Sequence, residues 1–308
     1  MKYQNITVTG AFGYTGKCII EKLLQTEAKV STLTNNINSE KVTSSPLVDK
    51  IKISAFNFDN PDKLVETLTG TDVLINTYWI RFNHPKFTMA KAFANTKILL
   101  DSAKKAGVKK IVHISITNAN INSPFEYFQH KGAIENIITD TFESYTILRP
   151  TVIFGRNDTL INNIAWGIRY FPIIGVFGDG SYKMQPIHID DLADLAIEHS
   201  QNEQNQIINV NGPETYSYIE LVKTIREILA VKRLIIKVPP IIGYIACFLI
   251  GKIMNDVMLT YDEVKGLMAN TLSCDTPPTG KIKLSEWIVE NKEKLGKKYT
   301  REVVKRIS

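Results

Sequence analysis

Apolar residues in the first half of the chain fall into short β-rich runs separated by segments of helical spacing. Ile6–Thr9, Lys29–Leu33, Ile51–Asn57, Asp72–Thr77, Lys110–Ser115 and Ser144–Leu148 read as strands. Between them, Thr15–Gln25 places Ile19, Ile20, Leu23 and Leu24 on one face, Asp62–Leu68 predicts a short helix, and Lys86–Ala106 predicts a long one that Gly107 ends. Strand and helix alternating at this spacing predict a parallel sheet with helices on both faces.

Beyond Pro150 the alternation weakens. Turn clusters appear at Gly178-Asp179-Gly180 and Asn211-Gly212-Pro213, and helical patterns dominate from Tyr218 onward. The predicted class is α/β, with a doubly wound parallel sheet over residues 1–150 and a smaller, mainly helical lobe over 151–308 that interleaves with it. The run Val238–Ile250 is almost wholly apolar but only thirteen residues long, short of the roughly 20 that a membrane span needs. It is expected as a buried helix of the second lobe. Contact with a membrane, supported by Lys252 and the basic tail, is the alternative.

At 308 residues, with 44% hydrophobic and 22% charged side chains, the chain can bury a large core, and a disordered or fibrous protein is excluded. Cys18, Cys247 and Cys274 are too few and too widely spaced for a disulfide framework or a zinc ribbon. The opening residues enter a strand pattern without the layout of a signal peptide. The expected compartment is therefore reducing and cytoplasmic, with a peripheral membrane position as a variant. The net charge of +6 gathers in the tail from Lys292 to Arg306, where Glu293 and Glu302 interrupt it. No nucleic-acid motif accompanies it, so a solvated helix face is expected and a nucleic-acid partner is not.

Chemistry first shows in ITVTGAFGYTGKCIIEKLL, where a strand ends at Thr9, glycines follow at 10, 13 and 16, and an amphipathic helix opens at once. Gly10 permits the tight turn, Gly13 lets backbone approach a pyrophosphate, and Gly16 lets helix and strand pack closely. The helix amino terminus offers N–H groups to the phosphate charge. This context predicts a Rossmann-type fold binding NAD or NADP.

The GxxGxxG spacing of TGAFGYTG resembles the nucleotide turn of the atypical and extended short-chain dehydrogenases/reductases. Phe58-Asp59, Asn76-Thr77-Tyr78, Asn95, KKAGVKKIVHISIT, LRPTVIFG and PIHIDDLADLA follow in matching order. The chain is most similar to the NmrA-like and complex I accessory-subunit branch of the NAD-dependent epimerase/dehydratase group. The resemblance runs from about residue 5 to 220. It implies a cofactor site of Thr9, Gly10, Phe12, Gly13, Tyr14, Thr15 and Gly16, with Asp59 on the adenine, Phe58 against its ring, and Thr77 and Tyr78 along the ribose and nicotinamide path. Ser115, Lys131 and Pro150 would complete the nicotinamide end. At the end of the second strand, where an acid selects NAD and an arginine NADP, the chain has Thr34-Asn35-Asn36. Asn35 serves either cofactor, and the missing acid leans slightly to NADP.

Tyr127 and Lys131 form a YxxxK pair whose side chains share a helix face. A second copy, Tyr261 and Lys265, lies far downstream, and position favours the first, which precedes a helix over Gly132–Ile138. The resemblance implies that Lys131 holds the ribose and stabilises the tyrosinate of Tyr127, a phenol otherwise titrating near pH ~10. Ser115 would bind the substrate oxygen, with Thr117 as a substitute donor, and hydride would pass between nicotinamide and a small carbonyl or hydroxyl compound. The alternative is a non-catalytic scaffold or redox sensor touching a membrane or respiratory complex through the C-terminal lobe. His113 is expected in the core, His130 on the surface, and His188 in a turn capped by Asp190 or Asp191; no metal site is expected. Arg149-Pro150 should fix the crossing into the second lobe, and Arg156 could meet an anionic group. Phe154, Trp166, Tyr170, Phe177 and Tyr182 could wall a partly apolar pocket.

Overall fold

The computed structural model describes residues 1–85 and 87–302. The predicted helix start at Lys86 and the end of the basic tail beyond 302 lie outside the described residues. In chain order come β1 (Asn5–Thr9), α1 (Tyr14–Leu23), β2 (Lys29–Thr34), α2 (Glu40–Thr43), β3 (Lys52–Ala55), α3 (Pro61–Leu68), β4 (Val73–Asn76), α4 (Met89–Lys105), β5 (Lys110–Ile114), α5 (Glu126–Thr141) and β6 (Tyr145–Pro150). There follow β7 (Ile153–Phe154), α6 (Leu160–Tyr170), β8 (Ile173–Phe177), β9 (Lys183–Met184), β10 (Ile187–His188), α7 (Ile189–Ser200), β11 (Gln206–Val210), β12 (Tyr216–Ser217), α8 (Tyr218–Ile228), β13 (Leu234–Val238), α9 (Pro240–Met254), α10 (Tyr261–Met268) and α11 (Leu284–Asn291).

A seven-stranded sheet runs β11-β6-β5-β4-β1-β2-β3. Its pairs from β3 through β6 are all parallel, with Ile6 opposite Val30 on one side and Val73 on the other. Every residue of β4 and β5 is buried, as a sheet covered by helices on both faces requires. Strand order reverses between β1 and β4, which opens a crevice at their carboxyl ends. The chain divides into two units. The first holds Met1–Arg149 and Leu192–Ile208; the second holds Pro150–Asp191 and the described residues from Asn209.

Local signals set the helix ends. Asn60 caps α3 by accepting from Lys63 N, and Pro61 opens that helix with its φ already fixed. Thr88 caps α4 by accepting from Lys91 N, which starts the helix at Met89. Gly107, at φ +76°, closes α4 with Val108 N donating to Ala103 O, the left-handed stop that glycine makes cheap. Leu33, Leu64, Leu74, Leu99, Ile111 and Ile134 form the core of the first unit. In the second unit Val152, Phe154, Ile161, Ile168, Leu221 and Ile225 do so.

Three expectations for the second unit change. Phe154, Phe177 and Tyr182 are buried in cores, so these three fill the unit instead of walling a pocket, while Trp166 packs on Tyr170, Phe171 and Tyr299, with Tyr170 exposed. His188 takes the position expected of an aspartate, its Nδ1 accepting from Asp190 N at the start of α7. Asp191 instead accepts from the backbone of Lys281 and Ile282. The apolar run forms α9, but of its residues only Gly243 and Gly251 are buried. Ile242 is 56% exposed, Leu249 55% and Ile253 83%. The expected buried helix is therefore a surface helix with its apolar side open.

Candidate functional site

The glycine turn is built around one oxygen. Gly10, at φ +72°, follows β1, and its carbonyl accepts from Gly13 N at 2.8 Å. A Cβ on Gly16 would stand 2.3 Å from that same oxygen, so α1 can lie against β1 only because position 16 has no side chain. A Cβ on Gly10 would meet Thr77 Oγ1 at 2.9 Å. Gly13 is the N-cap of α1, exposed and without a side-chain cap, and the first turn carries no acid. An anion approaching this helix end meets positive partial charge and bare backbone. The turn thus fits a dinucleotide pyrophosphate.

Across the strand-order switch, Thr9 organises the start of the next loop. Its hydroxyl donates to Asn76 Oδ1 and accepts from the backbone N–H of Thr77 and Tyr78, while Thr77 Oγ1 returns a 2.6 Å bond to Thr9 O. Asn76 Nδ2 donates to His113 Nδ1, which leaves the proton on Nε2. His113 is fully buried, as expected, and burial with the nearby Lys131 charge holds its pKa well below the ordinary range. Tyr78 accepts from Asn95, and burial pushes its phenol up to about 12. Phe58 stacks on Phe56 at 4.7 Å and leans on Tyr78, while Asp59 and Asn35 are exposed. Phe12, Tyr14 and Thr15 are half-buried around the turn, and Pro150 is buried at the end of β6.

At the proposed nicotinamide end, α5 begins at Glu126, so Tyr127 and Lys131 both lie on it. Gly132 lets that helix press on the preceding loop, where a Cβ would meet Asn120 and Ile121 backbone at 2.5 Å. Lys131 is only 2% exposed; its Nζ donates to Ile114 O at 2.7 Å and lies 4.9 Å from the centre of the Trp79 ring. Burial lowers its pKa to about 7, with Glu135 opposing. Tyr127 packs edge-on against Trp79. Ser115 Oγ donates to Glu135, and Arg149 clasps the same carboxylate through Nε and Nη2. Three groups in this region bury polar atoms with no protein hydrogen-bond partner among the described residues, Trp79 Nε1, Thr117 Oγ1 and His113 Nε2, and a bound ligand would use that capacity.

Trp79 and Glu135 were not singled out by the sequence. Glu135 could have been found, because it continues the four-residue spacing of Tyr127 and Lys131 on α5. His130 is not a free surface residue: it stacks on Phe93 at 5.1 Å. Tyr261 and Lys265 lie at the start of α10, the ammonium 4.4 Å from the ring centre. Arg156 is exposed. Among the described residues no cluster of three or more His, Cys, Asp or Glu could hold a metal, and none of the three cysteines forms a disulfide.

Sheet order, the switch-point crevice and the glycine turn together define a Rossmann dinucleotide-binding fold. The family model described as NAD(P)H-binding matches residues 10–165, and the chain belongs to that family. Among curated proteins it is similar to the mitochondrial NADH dehydrogenase [ubiquinone] 1 alpha subcomplex subunit 9 of Arabidopsis thaliana, 20% identical over 87% of this chain and 71% of that protein. The mitochondrial NADH-ubiquinone oxidoreductase 40 kDa subunit of Neurospora crassa is 23% identical over 84% of this chain and 69% of its own length. Among solved structures, the Citrobacter sp. triphenylmethane reductase complexed with NADP(H) superposes with TM-score 0.73 at 18% identity, covering 93% of this chain and 99% of that one. The Thermotoga maritima UDP-glucose 4-epimerase gives 0.67 at 19% identity, covering 94% and 98%.

Proposed function

We propose that this chain works by holding a reduced dinucleotide, as a scaffold or redox sensor, and not through a Ser-Tyr-Lys reaction. One observation carries the reading: two members of the expected triad are engaged by the protein itself, Ser115 by Glu135 and Lys131 by the carbonyl of Ile114. The pyrophosphate turn, by contrast, has no side-chain hydrogen bond at its N-cap. Thr9, Gly10, Gly13 and Gly16 would hold the pyrophosphate, Phe58 and Asp59 the adenine, and Thr77, Tyr78 and Pro150 the path toward the nicotinamide. The sequence relatives named as subunits of mitochondrial NADH dehydrogenase support a role in which the bound cofactor serves an assembly. With Asn35 exposed and no acid at the end of β2, NADPH is the preferred ligand.

A reductase or epimerase acting on a small carbonyl or hydroxyl compound is the second reading. It is favoured by Tyr127 and Lys131 sharing one face of α5, with the unmatched Trp79 Nε1 and Thr117 Oγ1 as donors for a substrate oxygen. Titrating NADH and NADPH by fluorescence, then following bound reduced cofactor against a carbonyl panel, separates the two. Tight NADPH binding without turnover is expected. Oxidation of the cofactor that disappears in Tyr127→Phe would replace the first reading with the second.

A further inference from the structure

The open side of α9 has a defined direction. Gly243, Cys247 and Gly251 recur every four residues and face inward. A Cβ on Gly243 would stand 2.5 Å from the Phe177 ring, Cys247 packs with the Tyr182 and Val264 cluster, and a Cβ on Gly251 would meet Asp256 O at 2.7 Å. Those contacts fix the rotation of the helix. Ile241, Ile245, Phe248, Leu249 and Ile253 then share the opposite side, and all are exposed. A soluble helix normally turns such a stripe inward.

Charge selects the occupant. From Ile228 to Asn255 the chain has no aspartate or glutamate. Lys232, Lys237 and Lys252 are exposed there, and Lys252 Nζ lies 4.8 Å from the centre of the Phe248 ring, a cation at the margin of the apolar stripe. Arg233 is held by the carbonyls of Ile168 and Arg169. Of the acids around this side, Asp179 accepts from Ser181 and interacts with the Lys237 charge, Asp256 accepts from Tyr299, and Asp262 on α10 pairs with Lys265. A second copy seated on this face would meet it with the same acid-free segment and so bring no carboxylate from residues 228–255 to Lys252. An anionic phospholipid surface meets both features, taking the apolar stripe into its acyl boundary and Lys252 into its headgroups. At fifteen residues α9 is too short to cross, and no described helix is long and apolar enough to do so. We infer that α9 lies flat in the surface of an anionic bilayer, with Ile241, Ile245, Phe248, Leu249 and Ile253 as its embedded side.

Sedimentation of the full chain with vesicles tests this, comparing phosphatidylcholine alone with phosphatidylcholine containing phosphatidylglycerol. Partitioning to the anionic vesicles is expected, weakening with salt. Phe248→Glu with Ile253→Glu should cut it by roughly tenfold or more, and Lys252→Gln by roughly fivefold. The altered side chains are exposed, so NADPH affinity and thermal stability should stay as in the unmodified chain and report the fold. The inference is overturned if the chain ignores anionic vesicles at low salt, if Phe248→Glu with Ile253→Glu partitions equally well, or if α9 crosslinks to its own copy in a dimer that binds no vesicle.

Discussion

Lys131→Met turns the buried ammonium into a measurable quantity. In the unfolded chain the lysine titrates at 10.5, and in the folded protein burial brings it down to about 7. The folded state therefore resists protonation. Between those two values the unfolded state binds more protons, so this side chain makes stability rise with pH across that window and imposes its full penalty below about pH 7. At about 1.4 kcal/mol for each pH unit, the penalty at neutral pH is on the order of 4 kcal/mol. Methionine keeps the length and removes the charge, but leaves Ile114 O without its bond, a loss of about 1 kcal/mol. The variant should thus exceed the unmodified chain by roughly 2 to 3 kcal/mol at pH 7. Its advantage should shrink with rising pH and vanish near pH ~10. Urea unfolding at a series of pH values between 6 and 10 reads this directly. A variant that is less stable at pH 6, with a difference that stays flat to pH 9, would show that Glu135 and the Trp79 ring compensate the ammonium in the folded protein and would refute the reasoning.

Two further substitutions probe the cofactor turn. Gly16→Ala puts a Cβ 2.3 Å from Gly10 O; the turn must open, and NADPH affinity measured by fluorescence should fall by about tenfold or more, each tenfold being about 1.4 kcal/mol. Thr9→Val removes the hydroxyl that serves Asn76, Thr77 and Tyr78; unfolding by urea should show a loss of about 2 to 3 kcal/mol, which Thr9→Ser restores.

The sequence was most informative where one element repeats one pattern. Strands β1 to β6 fall within a few residues of their predicted runs, because β-branched and apolar residues gather there between helical segments, most fully in β4 and β5, which are buried throughout. α5 was placed too late, since Glu126 to Lys131 carries little periodicity and its position depends on the Gly132 contact with Asn120 and Ile121. Short helices such as α2 left no apolar signature to read. For α9 the failure has a different cause: a stretch apolar all round reads the same whether its outer side meets protein or is open, and only the contacts of Gly243 and Gly251 decide. At the site, the glycine turn was legible because spacing alone defines it. The engagement of Ser115 was not, because it depends on Ser115 and Arg149, far apart in sequence, converging on the one carboxylate of Glu135.

The division of the chain, with Leu192–Ile208 returning to the first unit after an excursion through Pro150–Asp191, governs the order in which the protein can be made. Emerging from the ribosome, the sheet is without its outermost strand when Pro150 appears, and β6 stands as an uncovered edge with backbone donors and acceptors unspent. It stays so until β11 has been synthesised. The nascent chain therefore passes through a window in which strand addition by another molecule competes with completion, and a fragment ending at residue 150 would be fixed in that window permanently.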